Sequence, residues 1–439
     1  MKKRLTYILL IIIFLLNLLK PINILAMPAQ TDDSKDSVSD SDLIHRSGLS
    51  EDGLVQHEED SETSDDTGQV TNVSDILQIE STSAVLMEGS TGQIIYEKNK
   101  DERLHPASIT KIMTMLLIFE ALDEGKIKLT DEVTVSEHAA SLGGSQVYLE
   151  PGEIQTVDDM IKCIAIASAN DASVAMAEFI AGTEEEFISR MNERAKELGM
   201  NNTNFINSYG LDADGHYSSA LDIALMSKEL ITKFPQVKDY STIWMDKIIH
   251  KTRKGESEFG LTNTNRLVRF YDGITGLKTG STGLAKYCLS ATANRNGMDL
   301  IAVIMAAPST KQRFNEAAKL LDYGFANTSL YKDDNSDLVV TPVPVKKGVK
   351  EEVTYRPSGE FSYLCNRDTN PEDISKEVRL MEEITAPIKE NDLVGKVIYS
   401  VNNKEIGSLD LVAAETILEA KYIDRLGQVF KKFALAKVS

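Results

Sequence analysis

Strand-forming runs sit at the two ends of residues 78–330, and helix-forming runs fill the stretch between them. Residues 84–88 and 93–96 are strand-like and are split by Gly89-Ser-Thr-Gly92, a hairpin signal. Residues 287–293 and 300–306 are strand-like and are split by Asn294-Arg-Asn-Gly297. Residues 107–124 read as a helix, with Pro106 just before and Gly125 just after. Residues 157–180, 184–198 and 219–232 are further helical stretches, and 312–322 closes the unit. Such an order predicts one mixed α/β unit, a layered sheet with a helical insertion. Residues 337–418 change character. Short alternating stretches at 338–343, 352–355, 378–380 and 396–401 are broken by Pro, Gly and Asn turns, and predict a small all-β domain with a positioning or binding role.

The chain has 439 residues, 42 % of them hydrophobic, which is enough for sizeable cores in two domains. With 67 acidic and 47 basic side chains the formal net charge is −20, which argues against a nucleic-acid binder. Three cysteines exclude a disulfide scaffold, and the six histidines are scattered with no metal-ligand spacing. No metal or cofactor is implied.

The charge is unevenly placed. Residues 31–75 hold fourteen acidic side chains against Lys35 and Arg46, with no aromatic residue. A segment of this kind buries too little apolar surface to offset its ordering entropy, so 27–77 read as a disordered acidic spacer. Before it, Lys2, Lys3 and Arg4 precede an apolar run from Tyr7 to Leu19, shorter than the ~20 residues a bilayer-spanning helix needs. Residues 1–26 read as a secretory signal, with an uncleaved anchor as the alternative; both export the chain. At the other end, Tyr422, Ile423, Leu426, Val429, Phe430 and Phe433 fall within about 120° of one another at helical spacing. Lys421, Arg425, Lys431 and Lys432 occupy the rest of the cylinder. Residues 419–439 are thus either an amphipathic anchor on a membrane surface or a helix docked on its own protein.

Three short motifs carry the chemistry. In His105-Pro-Ala-Ser-Ile-Thr-Lys111, Ser108 and Lys111 share a face at i,i+3, so the amine can reach the hydroxyl. A serine hydroxyl needs a base. Lysine serves only when neutral, which burial and a second cation favour. Alone the motif is weak, since about one or two Ser-x-x-Lys matches arise by chance in such a chain. Ser168-Ala-Asn170 follows an apolar run, where polar residues can face a cleft or simply close a helix end. Lys278-Thr-Gly280 lies in a glycine-rich stretch beside a strand, which favours close ligand approach. A phosphate loop is excluded because Leu277, not Gly, precedes Lys278.

The ordered set Ser-x-x-Lys, Ser-x-Asn, Lys-Thr-Gly is far more specific than its members, and it is the signature of serine penicillin-interacting enzymes. With Phe205-Ile-Asn-Ser-Tyr-Gly-Leu and Leu320-Leu-Asp-Tyr-Gly-Phe, the chain resembles the low-molecular-mass penicillin-binding proteins that act as D-alanyl-D-alanine carboxypeptidases. The resemblance implies an α/β (α+β) fold of the penicillin-recognising serine transpeptidase and β-lactamase type. That fold has an antiparallel sheet flanked by helices and a helical subdomain, followed by the β domain and terminal helix. It implies catalysis by Ser108, Lys111 and Ser168, and substrate binding by Asn170, Lys278, Thr279, Gly280, Ser281, Arg266 and Arg313. Ser108 would form the acyl-enzyme and Lys111 take its proton. Ser168 and Lys278 would protonate the leaving D-Ala, and the N–H groups of Ser108 and Ser281 would hold the oxyanion. The implied partners are peptidoglycan stem peptides ending in D-Ala-D-Ala, β-lactams and the outer face of the cytoplasmic membrane, with a role in cell-wall biogenesis and cell shape. One departure is local: many relatives have Ala-Gly where this chain has Ala285-Lys286, a lysine read as facing solvent. The alternatives are a class A β-lactamase, disfavoured by Ser-Ala-Asn in place of Ser-Asp-Asn, and a non-catalytic peptidoglycan-binding protein, disfavoured by the intact motif set.

Overall fold

A computed structural model describes residues 77–253 and 255–435. The stretches read as an export signal (1–26) and as an acidic spacer (up to residue 76) lie outside the described residues. Leu77, drawn with the spacer, is buried and packs with Ile79 against the sheet core.

The two hairpins at the ends of the unit do join in one sheet. Ser83–Glu88 pairs antiparallel with both Ile94–Lys98 and Met298–Ala307. Lys286–Arg295 and then Ile274–Thr282 extend the sheet, so the Lys-Thr-Gly strand is its edge. Side chains alternate across a strand, and here both faces are buried. Val85, Met87, Ile301, Val303 and Met305 enter a core shared with the helical insertion. Ala84, Leu86, Leu300, Ala302 and Ile304 enter a second core under helix Thr310–Asn327, with Phe314, Ala317 and Leu320. Gly324 lets that helix approach, since a Cβ there would lie 2.6 Å from Leu300 Cδ1.

Two helical expectations are corrected. Residues 107–124 begin as a 3-10 turn, Ala107–Thr110, before the α-helix Lys111–Asp123. With three residues per turn, i and i+3 eclipse one another more closely than on an α-helix, which brings Lys111 over Ser108. Residues 157–180 are two helices, Val157–Ala165 and Asn170–Ala181. The break contains Ser168 at φ 62, and the Asn170 N–H donates to Ser145 O rather than continuing the first helix. The hairpin Met245–Thr252 with Gly255–Thr262 was not foreseen. It is largely exposed and carries polar residues on both faces, so it lacks the apolar alternation that marks a half-buried strand.

Beyond the helix, Thr328–Asp333 crosses the expected domain limit at 330 and pairs with Phe361–Asn366. The β domain's main sheet runs Tyr355–Pro357, Lys404–Ala413, Leu393–Val401, Ser375–Leu380. The strand expected at 338–343 begins only at Val343. Tyr399 is buried, stacks on Phe361 at 3.7 Å, and donates its hydroxyl to Asp333 Oδ2 at 2.7 Å. The terminal helix spans Tyr422–Leu435. All three cysteines are free and buried.

The start of the fold is clamped by Glu316, whose buried carboxylate accepts the N–H groups of Glu80 (2.6 Å) and Ser81 (3.3 Å) and the Ser81 hydroxyl. Glu316→Ala strands these buried donors, each worth about 1–3 kcal/mol. It is expected to lower unfolding free energy by roughly 2–4 kcal/mol in urea titration, while penicillin acylation of the folded protein persists.

Candidate active site

Three separate chain segments converge on Ser108. The 3-10 turn presents Ser108 and, one turn on, Lys111, whose side chain is fully buried. Lys111 Nζ lies 3.1 Å from Ser108 Oγ, 2.7 Å from Asn170 Oδ1 and 2.7 Å from the carbonyl of Tyr209. Burial, and secondarily the positive charge of Lys278, push its pKa well below the ordinary lysine value, against an opposing pull from Asp171. An amine that donates two hydrogen bonds to carbonyl oxygens and faces a hydroxyl with its third position is arranged as a neutral base.

The helix break supplies Ser168 and Asn170. The Asn170 amide donates to Gly143 O at 2.7 Å, which fixes the amide's orientation and turns Oδ1 toward Lys111. The next residue, Asp171, is buried and accepts the N–H groups of Val147 and Leu149 at 3.1 Å, so it holds the loop that carries Gly143. Burial raises its pKa, and those hydrogen bonds oppose the rise.

The edge strand supplies the third segment. Residues two apart share a face. Lys278 donates to Ser168 Oγ at 2.8 Å, Gly280 lies against the Ser108 turn, and Thr282 donates to Asp212 Oδ1 at 2.8 Å. A Cβ on Gly280 would come within 3.0 Å of Ser108 N, 3.0 Å of Ile109 N and 2.9 Å of Pro106 O, so the strand can touch the turn only through glycine. Lys278 is buried; burial and then Arg313 bring its pKa down to about 7. Thr279 donates to Thr264 Oγ1 at 2.7 Å.

The two arginines differ. Arg313 Nη1 donates to the carbonyls of Gly280 (3.1 Å) and Cys288 (3.4 Å), so it is built into the strand's support. Arg266 is exposed at the start of the short helix Leu267–Phe270. Ser281 is exposed on the edge strand, and Lys286 is exposed at φ 55, a left-handed conformation that glycine would adopt without strain.

Sequence reasoning missed the backbone carbonyls. Tyr209 O could not be singled out, because every residue has one. A usable signal was Gly210, at φ 91, where a Cβ would lie 1.9 Å from Ala107 O. His216 was also passed over. Its Nδ1 accepts the Ile206 N–H at 3.0 Å, so Nε2 donates to Thr110 Oγ1 at 2.9 Å, and burial pushes its pKa down to about 4. It is a neutral strut behind the 3-10 turn that carries Ser108.

The D-alanyl-D-alanine carboxypeptidase family model matches residues 69–309, more than half of the chain. The chain belongs to this family. A model of the C-terminal domain of penicillin-binding protein 5 matches residues 325–419. Curated relatives include D-alanyl-D-alanine carboxypeptidase DacF of Bacillus subtilis, 46 % identical over 347 residues, covering 79 % of this chain and 88 % of that protein. DacC of Escherichia coli is 36 % identical over 361 residues, covering 79 % and 87 %. Among solved structures, penicillin-binding protein 5 of Haemophilus influenzae aligns with a TM-score of 0.66 at 31 % identity, covering 78 % of this chain and 98 % of that one. The fold and activity expected from the motifs hold: the protein is a serine-type D-Ala-D-Ala carboxypeptidase that acts on peptidoglycan and binds β-lactams.

The lysine environments set a pH dependence. A base must be unprotonated, and a lowered pKa makes it so at lower pH. The rate of penicillin acylation is therefore expected to rise with pH and level off well below 10.5, the ordinary lysine value. Removing the Arg313 cation raises the Lys278 pKa, so any limb near pH 7 moves upward in Arg313→Gln; stopped-flow acylation across pH checks both.

Proposed function

We propose that Ser108 attacks the carbonyl of the penultimate D-Ala while its hydroxyl proton passes to Lys111 Nζ. The observation that carries this reading is the Lys111 geometry. The two 2.7 Å acceptors take both N–H bonds of the neutral amine, and its lone pair is left for the hydroxyl 3.1 Å away. The tetrahedral oxyanion forms beside the backbone N–H groups of Ser108 and Ser281, which have no charge to lose and little reorganisation to undergo. Collapse breaks the peptide bond, and the leaving D-Ala nitrogen takes a proton through Ser168, whose Oγ is hydrogen-bonded to Lys278. Water then attacks the ester, giving a proton through Ser168 back to Lys278. As the ester C–O bond breaks, Lys111 returns its proton to Ser108 Oγ, so the shortened stem peptide departs with both lysines and Ser108 restored.

Asn170 holds the substrate amide in this reading. Thr279, Gly280 and the exposed Arg266 take the terminal carboxylate, and Arg313 acts from behind the strand by holding the Gly280 carbonyl. Residues 78–330 carry the chemistry, and 337–418 set its position. We further propose that the protein works outside the cytoplasm, at the outer face of the cytoplasmic membrane. No helix among the described residues is long and apolar enough to span a bilayer. The terminal helix instead leaves Tyr422 81 %, Ile423 82 % and Phe430 69 % exposed, while Gln428 ties it to the β domain through Gly348 O at 3.0 Å and Val349 O at 3.3 Å. An apolar stripe left open to solvent beside basic residues fits insertion into a lipid interface better than docking on its own domain.

Wild type is expected to release D-Ala from a defined pentapeptide and to label covalently with fluorescent penicillin. Ser108→Ala is expected to abolish both, and persistent labelling of that variant would identify another nucleophile. Deleting residues 419–439 from signal-cleaved protein is expected to release it from membranes with D-Ala release intact. Sedimentation of the truncated protein with membranes would exclude the helix as anchor, with N-terminal sequencing to verify cleavage.

A further inference from the structure

Ile274–Thr282 is an edge strand; near its start the Thr275 and Gly276 carbonyls are taken by the Ser241 hydroxyl and the Asn265 amide, and its later part, beside Ser108, can receive a peptide as an added strand. The order of groups along it fixes the direction of that peptide. Thr279, bonded to Thr264 two residues from the exposed cation Arg266, marks the carboxylate end. Gly280 lies against Ser108, where the scissile carbonyl sits. The stem residue preceding the D-Ala pair is then carried onward toward Thr282, since strand residues advance about 3.4 Å each.

What waits there is a carboxylate. Asp212 Oδ1 accepts the Thr282 hydroxyl at 2.8 Å, and its side chain keeps 25 % of its surface exposed. His105 Nδ1 lies 3.7 Å from Oδ1, beyond hydrogen-bonding distance, and Lys286, opposite Thr282 in the register, forms no ion pair with Asp212 among the described residues. Oδ2 therefore has no protein partner among the described residues. Asp212 belongs to the loop that also supplies the Tyr209 carbonyl to Lys111, and that loop is pinned on the nucleophile turn at Gly210. The carboxylate is thus held in fixed register with Ser108.

We propose that Asp212 is a specificity-determining residue that takes a cationic side chain on the stem residue immediately before D-Ala-D-Ala. This rests on the reading of Ser108 as nucleophile and of the edge strand as the peptide's partner. The ligand chemistry is a primary ammonium on a flexible stem, as on a diamino acid, able to donate to Oδ2 while Thr282 holds Oδ1.

The test compares Nα-acetyl-L-Lys-D-Ala-D-Ala, with its side-chain amine free, against the same peptide with that amine acetylated. The ratio of their kcat/KM values for D-Ala release is the readout. Wild type is expected to favour the free amine by roughly fivefold at low salt, as a partly exposed ion pair allows, and less at high salt. In Asp212→Asn the ratio falls toward one, and in Thr282→Val, which frees the carboxylate, it falls part-way. Fluorescent penicillin labelling of each variant reports that the site is intact. A ratio that survives in Asp212→Asn, or a wild type indifferent to acetylation, overturns the proposal. Loss of penicillin labelling in Asp212→Asn also overturns it, by showing that Asp212 holds the site together rather than selecting the peptide. Wild type that labels with penicillin yet releases D-Ala from neither peptide overturns the carboxypeptidase mechanism beneath it.

Discussion

The buried amine of Lys111 is the constraint on which the rest of the site depends. Burying an ammonium without a carboxylate partner is costly. Burial lowers the pKa well below the ordinary lysine value, which reduces that cost by favouring the neutral form. A neutral amine still requires acceptors for its N–H bonds, and these come from two distant segments, Asn170 Oδ1 and Tyr209 O. The polar partners that make burial tolerable are the same ones that aim the lone pair. Lys278, a second buried cation nearby, reinforces the effect on Lys111, and Arg313 does the same to Lys278. Cations are thus stacked in depth behind the serine, an arrangement that favours proton acceptance in front and anion binding at the rim.

Holding this arrangement falls to close backbone approaches. Gly280 brings the edge strand against Ser108 N, and Gly210 brings the 205–211 loop against Ala107 O. The helix break at Ser168 places that hydroxyl within reach of Lys278 at the cost of a left-handed residue. Each segment reaches the site where regular structure stops or where a side chain is missing, so the large cores on both sheet faces act as the frame and the irregular positions as the working surface.

Much of this was legible beforehand. A layered sheet drawing strands from both ends of the unit was readable from strand runs flanking helical ones, though not that Ser83–Glu88 would pair with Met298–Ala307, and the motifs named Ser108, Lys111, Ser168, Asn170 and Lys278. Periodicity failed where chemistry overrode it: an apolar run over 157–180 reads as one helix, yet the break at Ser168 is what the site needs. It failed also at the Met245–Thr252 hairpin, whose exposed faces leave no pattern. The contribution of Tyr209 was invisible for a different reason, since a carbonyl leaves no mark in the identity of its residue.

Leaving Ile274–Thr282 unpaired on its outer side has a cost that catalysis does not reveal. An open strand edge is a template for pairing with other chains and a starting point for aggregation. Here the Ser108 turn lies against it at Gly280 and the Thr264 hydroxyl bonds to it at Thr279. The segments that build the cleft therefore also shield the edge. Substitutions that loosen them put solubility at risk together with activity, and a tightly bound β-lactam, by occupying that edge, would act as a folding ligand against self-association as well as an inhibitor.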